Sequence, residues 1–218
     1  MSDDKTKMTP LEKHKRTKLI ILISFIVSVI ILIACASAPN LLLGRQTGEY
    51  ELETVDPSKL SETKEEGFDI FEYPEYLKYD RNIYYYDKLS GVSISLDKVN
   101  AEQYGEGILF AYDLIEIIAN GEFEKYNSLV GREEEKYESF TQQQLYDIIL
   151  TLESSKTQGT TGKTYSEYVV KVEYKIHENN GTYRRDIESD ASRAQYYVIN
   201  DSLGDLLLMD IVFTQFKD

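Results

Sequence analysis

"SEYVVKVEYKIHENNGT" (residues 166–182) decides how the C-terminal half of this chain folds. Tyr168, Val170, Val172, Tyr174 and Ile176 alternate with Val169, Lys171, Glu173 and Lys175. A period of two puts the first set on a buried face and leaves the second wet. Asn180-Gly181 then reads as a two-residue hairpin turn, because a type I′ turn needs positive φ at both central positions. A returning strand is expected from Thr182, bending near "ESDAS" (188–192) before "RAQYYVIN" (193–200). "NDSLGD" (200–205) is the next turn and "LLLMDIVFTQF" (206–216) the last strand.

Upstream the period changes from two to 3.6. In "GILFAYDLIEIIANG" (107–121), Ile108, Ala111, Tyr112, Ile115, Ile118 and Ala119 share a helix face, and Leu109, Phe110, Leu114 and Ile117 widen it. Gly121 is placed as the C-terminal stop. "EFEKYNSLV" (122–130) gives a short second helix with Phe123, Tyr126 and Val130 inward. Thr141 and Gln144 have capping-box spacing, and Phe140 and Leu145 stand at staple positions. They predict a third helix with Leu145, Ile148, Ile149 and Leu152 as its stripe, broken by "SSKTQGTTGK" (154–163). The run "REEEKYE" (132–138) reads as a solvated loop, since nothing there enforces the inward geometry that calcium requires. Helices first and strands after give an α+β module, with helices packed on one face of an antiparallel sheet.

Before the helices, "IFEYPEYLKYDRNIYYYDKLSGVSISLDKV" (70–99) holds six tyrosines between Tyr73 and Tyr86, and then Val92, Ile94 and Leu96 alternate behind Ser90-Gly91. A short hairpin or an extended arm on the domain is expected. Exposed rings stack on sugars, but β-propensity and partial burial explain tyrosines here more simply, and the chain has no tryptophan. Residues 40–70 are rich in Glu, Ser, Thr and Lys and read as a spacer.

The N-terminal segment fixes an expected address. Leu19–Ala38 carries no charge, and twenty residues at about 1.5 Å each match a bilayer core about 30 Å thick. Residues 1–18 carry a net charge of +3, so within a total of −14 the remainder carries −17. The positive-inside rule places residues 1–18 in the cytoplasm and residues 40–218 outside a cell membrane. The acidic body disfavours nucleic acid as a partner. The layout expected is therefore a basic cytoplasmic tail (1–18), a transmembrane signal anchor (19–38), an acidic linker (39–70), a Tyr-rich arm or hairpin (71–99) and an extracytoplasmic α+β domain (100–218). Leu32-Ile33-Ala34-Cys35 resembles a bacterial lipobox, which would make Cys35 a lipidation site. The eighteen residues before the apolar run and the apolar "ASAPNLLL" after Cys35 favour an uncleaved anchor. Cys35 is the only cysteine, so no intramolecular disulfide forms.

"ILFAYDLIEIIANGEFEKYNSLV" (108–130), followed by "YVVKVEYKIHENNGTYRR" (168–185) and "QYYVINDSLGDLLLMDIVF" (195–213), resembles the NTF2-like (cystatin-like) superfamily, in which N-terminal helices pack in the concavity of a curved antiparallel sheet. With the single anchor, the topology is similar to the VirB8-like components of type IV secretion and conjugation machines. Enzymes of the superfamily place Asp, His or Tyr in the concavity; the resemblance implies Tyr112, Asp113, Tyr168 and Asp210 as pocket-lining residues, with ordinary core and rim roles the simpler account. No catalytic residue, cofactor site or metal site is expected. Only His14 and His177 are present, His177 is expected to be exposed beside a turn, and no phosphate-loop, dinucleotide, zinc-protease or nucleophile-elbow motif occurs. The function expected is that of a non-enzymatic, membrane-anchored interaction or assembly component of a bacterial envelope, with protein partners that include further copies of itself. The alternative is a lipoprotein whose concavity binds a small ligand.

Overall fold

The computed structural model describes residues 54–62, 69–160, 163–202 and 204–213. The basic tail, the apolar run with Cys35 and most of the spacer lie outside the described residues. No described helix is long and apolar enough to cross a membrane.

Leu52–Asp218 forms one compact α+β unit built on a mixed six-stranded sheet. Its elements in chain order are β1 (Ile83–Asp87), β2 (Val92–Leu96), α1 (Lys98–Ala101), α2 (Glu106–Ala119), α3 (Phe123–Ser128), β3 (Gln144–Thr160), β4 (Lys163–His177), β5 (Gln195–Ser202) and β6 (Asp205–Phe213). The sheet order is β2-β1-β3-β4-β5-β6. All pairings are antiparallel except β1 with β3, which is parallel. The expectation of a purely antiparallel sheet is corrected there. Three helices separate β2 from β3, so the chain returns by a crossover, and a crossover delivers a parallel neighbour. The Tyr-rich hairpin is thus two strands of the sheet, because its β1 sits between β2 and β3.

Helix α2 lies against β3 and β4. Ile108, Ala111, Leu114, Ile115 and Ile118 are buried on it, and Gly121, with φ 71°, ends the helical run. A side chain at Gly121 would also strike the backbone, since a Cβ there would stand 2.5 Å from Gln142 N. The sheet answers with Val170, Val172, Tyr174 and Ile176, the inward set of the alternating run.

The predicted third helix is a strand. Gln144–Thr160 is β3, and the reason lies in a β-bulge between Tyr146 and Ile149. Asp147, at φ 51°, is part of this two-against-one step opposite β4, and the step resets the side-chain parity. Leu145, Ile148 and Leu150 are all buried in the same core, while Ile149, paired with Glu173, turns to the other face. Inward positions spaced by three and then two imitate a helical stripe.

The Asn180-Gly181 hairpin is corrected as well. Gly181 has φ 70°, but Asn180 is not in the left-handed region, so a type I′ turn does not form. Residues 178–194 instead make a folded loop organised by buried Asn179, whose side chain donates to the carbonyls of Arg184 (3.0 Å) and Ile187 (2.9 Å) and accepts from Gly181 N (3.0 Å). The loop in turn holds part of the expected spacer: Val55 N donates to Arg185 O, Ser61 N donates to Asn179 O, and Leu60 occupies the place a Gly181 side chain would need.

Candidate functional site

A cleft of about 290 Å³ opens beside α2. Helical spacing lines Tyr112, Ile115, Glu116 and Ala119 along one side, since residues three and four apart share a face. Ile83 of β1, Leu96 of β2 and Ile148 of β3 form apolar lining, and Phe71, Tyr76, Arg81 and Asn82 come from the segment before β1. That segment is held in place by its own bonds. Tyr76 Oη donates to Leu145 O (2.6 Å), Arg81 Nη1 donates to Phe71 O (3.2 Å), and the Arg81 guanidinium lies 5.4 Å from the centre of the Tyr76 ring.

Tyr76, Arg81, Asn82, Tyr112, Glu116 and Asn120 supply the polar groups of the cleft. Tyr112 Oη donates to Glu116 Oε1 at 2.9 Å; burial and that carboxylate push the phenol up to about 12. Burial does the same to Tyr76, also to about 12. Both phenols are neutral donors at physiological pH.

Of the four residues expected to meet in a concavity, only Tyr112 lines the cleft. Asp113 faces Lys98 at 3.4 Å on the exposed side of α2. Tyr168 donates to Glu106 Oε2 at 3.0 Å and packs on Gly107, where a Cβ would fall 2.6 Å from its ring. Asp210 lies 3.5 Å from Arg132 on the edge strand β6. They occupy separate places because the sheet's inner face is already filled by α2 and α3. Cys35 lies outside the described residues. Arg81 and Glu116 were missed; the one hint in the sequence was the i, i+4 spacing of Tyr112 and Glu116 on this helix.

A second cluster forms where His177 meets the loop. Asp190 Oδ1 accepts from Tyr146 Oη (3.0 Å) and lies 3.2 Å from His177 Nδ1; the Tyr79 ring packs, tilted, 4.2 Å from the Tyr146 ring and 4.9 Å from the His177 ring. His177 was expected to be exposed, but only 14% of its side chain is, because the Tyr-rich segment covers it. One carboxylate oxygen thus ties Tyr146 of β3 and His177 of β4 to the loop that carries Asp190. Among the described residues no three His, Cys, Asp or Glu side chains are grouped to hold a metal ion.

No protein-family model matches the chain, and neither the curated proteins nor the solved structures contain a significant match.

Proposed function

We propose that this protein is a membrane-anchored, extracytoplasmic, non-enzymatic interaction component of a bacterial envelope assembly, and that the cleft beside α2 receives a side chain of its protein partner. Support for the address is the charge asymmetry across Leu19–Ala38, basic before and acidic after. The observation that carries the binding reading is the cleft itself. At about 290 Å³ it stands at the lower end of the ~300–1,000 Å³ typical of small-molecule sites. It is open and flanked by aromatic and arginine side chains, the residue types enriched where proteins meet. The NTF2-like and VirB8-like part of the reading rests on the order of helices and strands along the sequence, as an analogy of topology.

A photo-crosslinking residue placed at Asn82, on the cleft, tests the partner in producing cells. Adducts are expected from position 82 and not from Lys156 on the distal part of the β3–β4 hairpin, and Ala119→Phe, which fills the cleft, should reduce them several-fold. Equal yields from both positions, or none from 82, would overturn the reading.

The lipobox-like Leu32–Cys35 supports a second reading, a lipoprotein tethered through Cys35. Mass spectrometry of the membrane-extracted chain separates them: an intact N-terminus supports the anchor, and a diacylglyceryl-Cys35 start supports the lipoprotein.

A further inference from the structure

The charge distribution within the cleft specifies more than its size. Arg81 is an exposed cation in a strongly acidic chain, yet among the described residues it forms no ion pair. It gives one N–H to the Phe71 carbonyl and rests on the Tyr76 ring. The neighbouring carboxylate, Asp80, does not neutralise it, because Asp80 already accepts from Asn82 N (3.0 Å), Asn82 Nδ2 (2.8 Å) and Tyr84 Oη (2.7 Å). Those bonds hold the Asp80 carboxyl below its ordinary range, and Asp80 forms no ion pair with Arg81. A guanidinium has five donors in a planar fork that matches a carboxylate, so most of Arg81's donors remain available. The Phe71 carbonyl and the Tyr76 ring, 5.4 Å away, hold the guanidinium in position. Glu116, the carboxylate in the cleft, is engaged by Tyr112. The next surfaces inward are apolar: Ile115, Ile83 and Ile148.

We infer that the cleft recognises a peptide segment in which a large apolar side chain stands beside a carboxylate, the side chain entering between α2 and β3 and the carboxylate taking the Arg81 fork. The inference rests on the reading of the cleft as the partner's seat and adds the chemistry of what sits there. Charge complementarity names the occupant: a cation with no carboxylate partner among the described residues, beside a floor of Ile83, Ile115 and Ile148, matches an anionic group attached to an apolar one. A charge-assisted bidentate pair is roughly twice as strong as a neutral hydrogen bond, so the carboxylate should dominate selectivity.

The minimal probe is N-acetyl-leucine, compared with its uncharged amide, N-acetyl-leucinamide, each titrated into the full-length protein in detergent and followed by ligand-observed NMR. A ligand of this size is expected to bind with a dissociation constant on the order of millimolar. The acid should bind at least about fivefold more tightly than the amide. Arg81→Gln should bind both alike, and Ala119→Phe should bind neither while keeping the wild-type circular dichroism spectrum. Equal binding of acid and amide to the wild type, absence of binding, or an acid preference that survives Arg81→Gln would overturn the inference. Crosslinking from position 82 without acid preference removes the carboxylate alone. Acid preference without crosslinking removes the protein partner, and with it the peptide.

Discussion

Tyr174 shows how much one hydroxyl holds in this interior. Its ring is an inward member of the alternating run, as the period of two implied, and only 2% of it is exposed. Its Oη accepts from Gln195 Nε2 at 2.7 Å and from Arg184 Nη1 at 3.3 Å, and Arg184, itself buried, is forked onto Asp186. Tyr174→Phe would leave Arg184 Nη1 without its acceptor and Gln195 Nε2 with only the longer bond to Tyr197 Oη (3.3 Å), and an unsatisfied buried group costs about 1–3 kcal/mol. Tyr126 makes the control. It is fully buried, and its hydroxyl has no hydrogen-bond partner among the described residues. Denaturant unfolding of the full-length variants should therefore show Tyr174→Phe destabilised by about 1–2 kcal/mol and Tyr126→Phe within about 0.5 kcal/mol of wild type or above it. Equal losses would mean that the network around Tyr174 carries no stability of its own. The inward direction of Tyr174 was legible because alternation is local. Its partners were not, since Arg184 and Gln195 reach it only through the folding of residues 178–194. The same holds for the cleft: Tyr112 could be read from helical spacing, whereas Arg81 arrives from a segment that had to dock first.

Strand β3 is where local rules pointed the wrong way. Thr141 and Gln144 have the spacing of a capping box, but Gln143 and Gln144 are buried, and Gln143 Nε2 donates to Thr141 O and Thr182 Oγ1. The polar side chains thus serve tertiary contacts rather than a helix end. The bulge then gave the hydrophobic positions a helical look. Its cost is visible in Asp147, whose φ of 51° is tolerated by Asp, Asn or Gly and is strained for a β-branched residue. The Lys175–Asp147 ion pair at 2.9 Å is exposed on both sides and is worth little. Asp147→Gly is therefore expected to unfold within about 1 kcal/mol of wild type, whereas Asp147→Val should lose about 1–3 kcal/mol. Chemical denaturation measures both. If Val were tolerated as well as Gly, the bulge would not be held by its backbone conformation. In α2, and in the core half of β4, where neither carries an extra residue, period and stop signals located the elements directly, whereas the expected break over 154–163 is the distal end of the β3–β4 hairpin.

At the scale of the whole molecule, the folded unit has no cysteine and no tryptophan, and aromatic packing takes up the load. Tyr126, Tyr137, Phe140 and Tyr183 meet ring to ring with centroids 5.2–6.1 Å apart, closing the end of the core beneath residues 178–194. Phenols so placed tie stability to alkaline pH. Burial raises Tyr76 to about 12 and holds Tyr183 and Tyr197 well above their ordinary value. An unfolded tyrosine releases its proton near pH 10. Between that pH and the folded value, the native state therefore holds more protons than the unfolded state, and stability falls as pH rises. The contribution is complete below about pH 10 and is lost through the window from 10 to 12 and beyond, at about 1.4 kcal/mol per pH unit for each such ring. Three rings lose about 4 kcal/mol per unit, and a domain of ordinary stability, about 5–15 kcal/mol, does not survive two units of that slope with much margin. Circular dichroism and tyrosinate absorbance recorded together should then change in one cooperative step above pH 10, and Tyr183→Phe should move that step to higher pH relative to its own stability at pH 7. A gradual absorbance rise with full ellipticity retained past pH 12 would show that these hydroxyls ionise in place, and the interior would have to admit water to allow it.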